Sequence, residues 1–161
     1  MDKSTVDLPL SEGEKFTQGL DGLGDRLAEY AELGARFTKW RAVITIGDGI
    51  PTESCVEANA EALALYAAFA QEHDLVPIVE PEVLIDGDHS IEQCYDATEW
   101  MLNRTFDEIY EHGVELSGIL LKPNMVVSGK DATGGPGLYF FAEEGGHAWP
   151  QVRDLRVTTL P

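Results

Sequence analysis

Three stretches of this chain alternate or run apolar in the manner of strands, and between them lie long helical patterns. Thr38 to Ile46 is rich in β-branched and aromatic residues and ends at Gly47-Asp48-Gly49, a turn signal. Pro51-Thr52-Glu53-Ser54 then opens an Ala/Leu/Glu-rich helix that runs to about His73, with Pro51 early in its first turn. A second extended run spans Leu75 to Leu84, although Pro77 and Pro81 lack the N–H that a central strand needs. Ser90 is placed to cap a helix from Ile91 to about His112, with Gly113 just past its end. Leu116 to Val127 is the third apolar run. Ahead of the first strand, Leu20, Leu23, Leu27 and Tyr30 mark a short amphipathic helix ending at Gly34. Strands about every 40 residues with helices between them call for a parallel sheet joined by right-handed crossovers.

Alternation along each strand then exposes the chemistry, because side chains two apart share a face. Lys39 and Arg41 point one way from the first strand, Glu80 and Glu82 from the second, and Leu120, Lys122 and Asn124 from the third. A parallel strand covered on both faces reads as continuously apolar, so five charged groups at matching positions require one another. One reading is a structural salt-bridge cluster. The other, favoured by five groups at the carboxyl ends of three strands, is an active site. A lysine among other cations is expected to have its pKa lowered, which frees a neutral amine for Schiff-base formation with a substrate carbonyl. A carboxylate beside it would shuttle the protons. Lys122, on the more apolar strand, is the preferred nucleophile over Lys39.

Composition narrows the partners. With 11 Lys+Arg against 29 Asp+Glu, the net charge of −18 argues against nucleic-acid backbones and anionic lipid surfaces. No apolar run approaches the roughly 20 residues of a membrane span, and the first ten residues hold no signal-peptide core, so a cytoplasmic protein is expected. Cys55 and Cys94 form no C-x-x-C or Cys/His cluster that would suggest zinc; both read as buried thiols, and Trp40 as packing between strand and helix. Residues 1–131 hold 26 of the acidic and 9 of the basic residues, whereas 132–161 is nearly neutral and rich in Gly and Pro. A boundary is therefore expected near Asp131.

The segments TQGLDGL (17–23), FTKWRAV (37–43), ESCVEANAEALALYAAFAQ (53–71), VPIVEPEVLIDGDHSIEQC (76–94) and GILLKPNMVVSGKDA (118–132) resemble class I fructose-bisphosphate aldolase, the metal-independent Schiff-base type. The likeness runs from about Asp2 to Asp131, with its motifs in the family's order and spacing. It implies Lys122 as the Schiff-base lysine, Glu80 as proton-transfer acid/base, Lys39 as a catalytic substrate contact, Arg41 as a substrate-binding cation and Glu82 as the group orienting the lysines. It also implies a sugar bisphosphate substrate, no cofactor, and a family that is usually homo-oligomeric. The fold implied is α/β, a partial TIM (β/α)8 barrel with about three parallel strands (38–46, 75–84, 116–127). At 161 residues the chain is shorter than the about 250 of a complete barrel. By the same resemblance, the family's first and third strands, with their aspartate and lysine, precede Met1, and three strands cannot close. Two open edges make marginal stability or association the expectation. An inactive remnant, an interaction module, or a transaldolase-like or deoxyribose-phosphate aldolase are the alternatives.

Beyond Asp131 the resemblance stops where the acidic bias stops. That coincidence is what a shift of reading frame would produce, with 132–161 unrelated to the rest. Resequencing the locus is expected to reveal a frame that continues into family-like sequence; a clean native stop with no such sequence overturns the idea.

Overall fold

A computed structural model of the chain describes residues 3–133, together with the backbone of Leu138–Tyr139. Most of the segment set apart as 132–161 lies outside the described residues. A small antiparallel hairpin, β1 (Thr5–Asp7) and β2 (Lys15–Thr17), comes first and leads to α1 (Leu23–Glu32). The central unit then follows as β3 (Phe37–Ile44), α2 (Glu53–Glu72), β4 (Val76–Val83), α3 (Ile91–Glu111) and β5 (Leu120–Leu121). These three strands form one parallel sheet in the order β3-β4-β5, with no closed barrel. No helix among the described residues is long and apolar enough to cross a membrane.

The helices begin where their caps dictate. Thr52 accepts the Cys55 N–H, so Pro51 sits just before the cap of α2 and not within its first turn. Ser90 and Gln93 form a reciprocal capping box at the start of α3, and Gly113 adopts a positive φ of 66° beyond its end. α2 and α3 cover one face of the sheet. Trp40 of β3, 2% exposed, stacks on Tyr66 of α2 with ring centroids 5.4 Å apart. Ala42, Ile44, Val79 and Val83 complete this buried face, and Cys55 and Cys94 are free thiols inside it.

β4 is central despite its two prolines, and hydrogen-bond parity explains how. Its even-numbered neighbours bond toward β3: Val76 N–H donates to Arg36 O and Leu84 N–H to Ile44 O. Odd-numbered residues face β5, as the Lys122 N–H to Val79 O bond shows. Pro77 and Pro81 therefore present their missing donors to β5, which is only two residues long. The single strand expected over 116–127 is correspondingly broken. It becomes a 3-10 turn at Leu116–Gly118, then β5, an irregular stretch containing Pro123, and β6 (Val126–Val127). β6 pairs antiparallel with β7 (Leu138–Tyr139) in a separate sheet.

After β6 the chain is strapped to the loop that follows β4. Gly129 N–H donates to His89 O, Lys130 N–H to Ile85 O and Asp131 N–H to Gly87 O, all within 2.9 Å. A Cβ on Gly129 would lie 2.3 Å from the Gly87 carbonyl oxygen and 2.9 Å from the His89 nitrogen. Both obstacles are backbone and cannot swing aside. Gly129→Ala is thus expected to destabilise the fold by about 2 kcal/mol, measured by urea unfolding, as overpacked sites do. An unchanged midpoint would mean that the two loops separate freely.

Candidate functional site

The exposed face of the sheet carries the charges. Register pairs Arg41 with Glu80 and Val43 with Glu82, so the side chains of Lys39, Arg41, Glu80 and Glu82 emerge on one side, opposite α2 and α3. Glu80 occupies the middle of the central strand and its side chain is 4% exposed. Lys39 Nζ of β3 lies 2.8 Å from Glu80 Oε2. From the other flank, just past β5, Lys122 Nζ donates to Glu80 Oε1. Arg41 Nε donates to Glu82 Oε2 one layer above. All five groups singled out in the sequence therefore meet on one face: Glu80 is held between lysines from both flanks, and Glu82 is paired with Arg41. Asn124, placed with them by alternation, turns away to the β4 backbone and α3.

The electrostatics follow from this bridging. Burial alone would raise the Glu80 carboxyl, but hydrogen bonds from Lys122 and Lys39, with their charges, outweigh it and hold the group below its ordinary value. Lys122 behaves in the opposite way to the expectation for a lysine among cations. Its hydrogen bond to Glu80, reinforced by the charges of Glu80 and Glu82, raises its pKa, and the opposing charge of Arg41 is the weaker influence. The nearest groups are carboxylates, and with a side chain 56% exposed there is little desolvation to favour the neutral amine. The Arg41 guanidinium is likewise stabilised, chiefly by its hydrogen bond to Glu82.

Several supporting residues escaped the sequence pattern. Glu14 is 1% exposed, and its carboxylate accepts both the Thr52 N–H at 2.7 Å and the Thr52 hydroxyl at 2.6 Å. It thereby ties the hairpin to the cap of α2. Thr17, fully buried, donates its hydroxyl to Arg41 O at 2.6 Å and fixes the backbone of that residue. Burial, with Glu14 adding to it, pushes the Cys55 thiol up to about 12, so it remains protonated. His89 immediately precedes the Ser90 cap of α3 and is 4% exposed. These contacts span 24 to 38 positions, and only motif membership (Thr17 in TQGLDGL, His89 in DGDH) could have drawn attention to any of them.

Comparison with known proteins gives the family. A family model described as fructose-bisphosphate aldolase class-I matches residues 1–136. A probable class 1 fructose-bisphosphate aldolase of Xanthomonas campestris is 58% identical over 130 residues, which are 81% of this chain and 39% of that protein. Cytosolic fructose-bisphosphate aldolase 4 of Arabidopsis thaliana is 53% identical over 132 residues, 82% of this chain and 34% of the relative. Among solved structures, fructose-bisphosphate aldolase from Plasmodium falciparum, in complex with TRAP and an inhibitor, superposes with a TM-score of 0.80 at 48% identity, covering 83% of this chain and 39% of that one. The chain belongs to the class I fructose-bisphosphate aldolase family. It spans about two-fifths of the length of the relatives it matches.

Because the Glu80 carboxyl has a lower pKa folded than unfolded, its contribution to stability is present above the ordinary value of 4.5 and is lost as pH falls through the folded value. Glu80→Gln removes that contribution. The urea midpoint of the native chain is expected to exceed that of the variant at neutral pH and to converge on it in acid. Parallel curves would show that Glu80 gains nothing from its two lysines.

Proposed function

We propose that this chain carries the Schiff-base centre of a class I aldolase, acting on fructose 1,6-bisphosphate in the cytoplasm, with residues 1–131 as the central part of the barrel and 132–161 as a distinct tail. Lys122 is the nucleophile, Glu80 the acid/base, Lys39 the second lysine touching substrate, Arg41 the cation for a substrate hydroxyl or phosphate, and Glu82 the group that orients the cations. The observation that carries this reading is a nearly buried carboxylate bridging two lysines, one on β3 and one just past β5, at one face of a parallel sheet.

The chemistry runs as follows. Lys122 Nζ gives up a proton, which Glu80 is hydrogen-bonded to receive. The free amine adds to the C2 ketone, and Glu80 returns the proton to the carbinolamine oxygen so that water leaves and the iminium forms. Glu80, ionised again by that step, then takes the C4 hydroxyl proton as the C3–C4 bond breaks. The bonding pair moves into the iminium to give an enamine, and glyceraldehyde 3-phosphate departs. Protonation of the enamine carbon and hydrolysis release dihydroxyacetone phosphate and restore the lysine. Every step is reversible. Lys39, Arg41 and Lys122 are the cations that offset the chain's net −18 for an approaching bisphosphate.

A second reading has its own support: the same family site without turnover, in a remnant or an interaction module. Glu80 holds its proton weakly and Lys122 holds its proton strongly, so the first transfer is uphill. Incubation with dihydroxyacetone phosphate and borohydride separates the two. A stable adduct on Lys122, absent in Lys122→Ala, is expected, together with cleavage of fructose 1,6-bisphosphate far below the usual median turnover of about 10 per second. No adduct on Lys122 leaves the remnant or interaction reading in its place.

A further inference from the structure

We propose that Asn124 is the positioning residue that seats Lys122 against Glu80. The role is stated for the reading of Lys122 as nucleophile, and it starts from a break in the sheet. The β4–β5 ladder ends at the bond from Lys122 N–H to Val79 O, 2.8 Å. Pro81 has no N–H to give to Lys122 O, so the ladder cannot continue there, and residues 122–125 belong to no strand. On the other side of the gap, the Val83 N–H of β4 faces the missing strand, in the same row as Pro81.

The Asn124 side chain fills this gap as a surrogate peptide group. Its Oδ1 accepts the Val83 N–H at 3.1 Å. Its Nδ2 donates to Thr98 Oγ1 of α3 at 3.1 Å and to Met125 O at 3.1 Å. Thr98 is itself 1% exposed, so the amide is anchored on the core and not on a mobile surface group. Lys122 consequently lies between two fixed points, its own N–H on Val79 and the Asn124 amide two residues on. That placement matters because the Lys122 side chain is more than half exposed and has few walls to direct it. Where its ammonium sits is set by the backbone beneath it. Without the Asn124 bridge, the segment is tied to β4 on one side only, and the lysine can swing away from Glu80.

Competitive acetylation with limiting acetic anhydride across a pH series, read lysine by lysine by mass spectrometry, tests this directly. Asn124→Ala should lower the pH at which Lys122 becomes reactive and speed its acetylation roughly twofold to fivefold at mildly alkaline pH, the factor expected when an exposed ion pair is lost. Lys15, paired with Asp7 within the hairpin and not with Glu80, should not change. Thr98→Val removes only the anchor on α3, and should move Lys122 in the same direction by less, which decides the matter if Asn124→Ala does not fold. Glu80→Gln should shift Lys122 by itself, and adding Asn124→Ala to it should change nothing further. An unchanged Lys122 profile in Asn124→Ala or, if that variant is unfolded, in Thr98→Val, beside a shifted one in Glu80→Gln, overturns the proposal. An unmoved profile in Glu80→Gln removes the pairing and the proposal with it. Since the measurement needs no substrate, failure of dihydroxyacetone phosphate trapping counts against the catalytic reading alone.

Discussion

A carboxylate nearly removed from water in the middle of a central strand is the constraint around which this chain is organised. Glu80 has nowhere to go: its neighbours Val79 and Pro81 point into the helical layer, and β3 and β5 close on either side. Ionised, it needs counter-charges within hydrogen-bonding reach, and a lysine comes from each flank, Lys39 on β3 and Lys122 just past β5. The cations are themselves largely solvated, so only one member of the cluster bears the full desolvation. The same demand explains why the site spans three elements. No single strand can surround its own side chain, so the charge on β4 constrains the register of both neighbours.

Much of this is legible in the residues because it is periodic or local. Alternation puts Lys39 with Arg41 and Glu80 with Glu82, and a parallel register needs only to align the rows. The caps at Thr52 and Ser90 and the end of α3 at Gly113 are likewise written within a few positions. What escapes is whatever depends on distant backbone. The hairpin β1–β2 is too short to show a pattern, and Glu14 becomes a buried partner of Thr52, 38 positions away, only when the chain between them has folded. The third strand misleads for a related reason. Its apolar run is real, but Pro81 of β4 denies the ladder its next donor, and the segment divides into pieces that belong to different sheets.

The prolines of β4 and the break after β5 are two sides of one accommodation. Placing Pro77 and Pro81 in the row that faces β5 leaves β3–β4 as the uninterrupted pairing, eight residues in register. The β5 side is then held by few backbone bonds and must be completed by side chains and loops: Asn124 on Val83, and residues 129–131 strapped along 85–89. The nucleophile candidate thus sits on the weaker flank of the sheet, where small rearrangements are least opposed by hydrogen bonding.

That location bears on the protonation of Lys122. A neutral amine is favoured by burial and by neighbouring cations, and disfavoured by a carboxylate at contact distance. In this chain the contact carboxylate prevails, since the lysine's outer surface meets solvent and Arg41 is occupied by Glu82. The expectation of a depressed lysine pKa counted the cations correctly, but it overlooked which charge stood nearest. Lowering that pKa requires either a wall that excludes water from the Lys122 side chain or another cation competing for Glu80. Both would have to come from the open side of β5, where the described chain offers no further strand. The five clustered groups bring three cations and two carboxylates to one face of the sheet, whereas tuning the amine depends on what surrounds them.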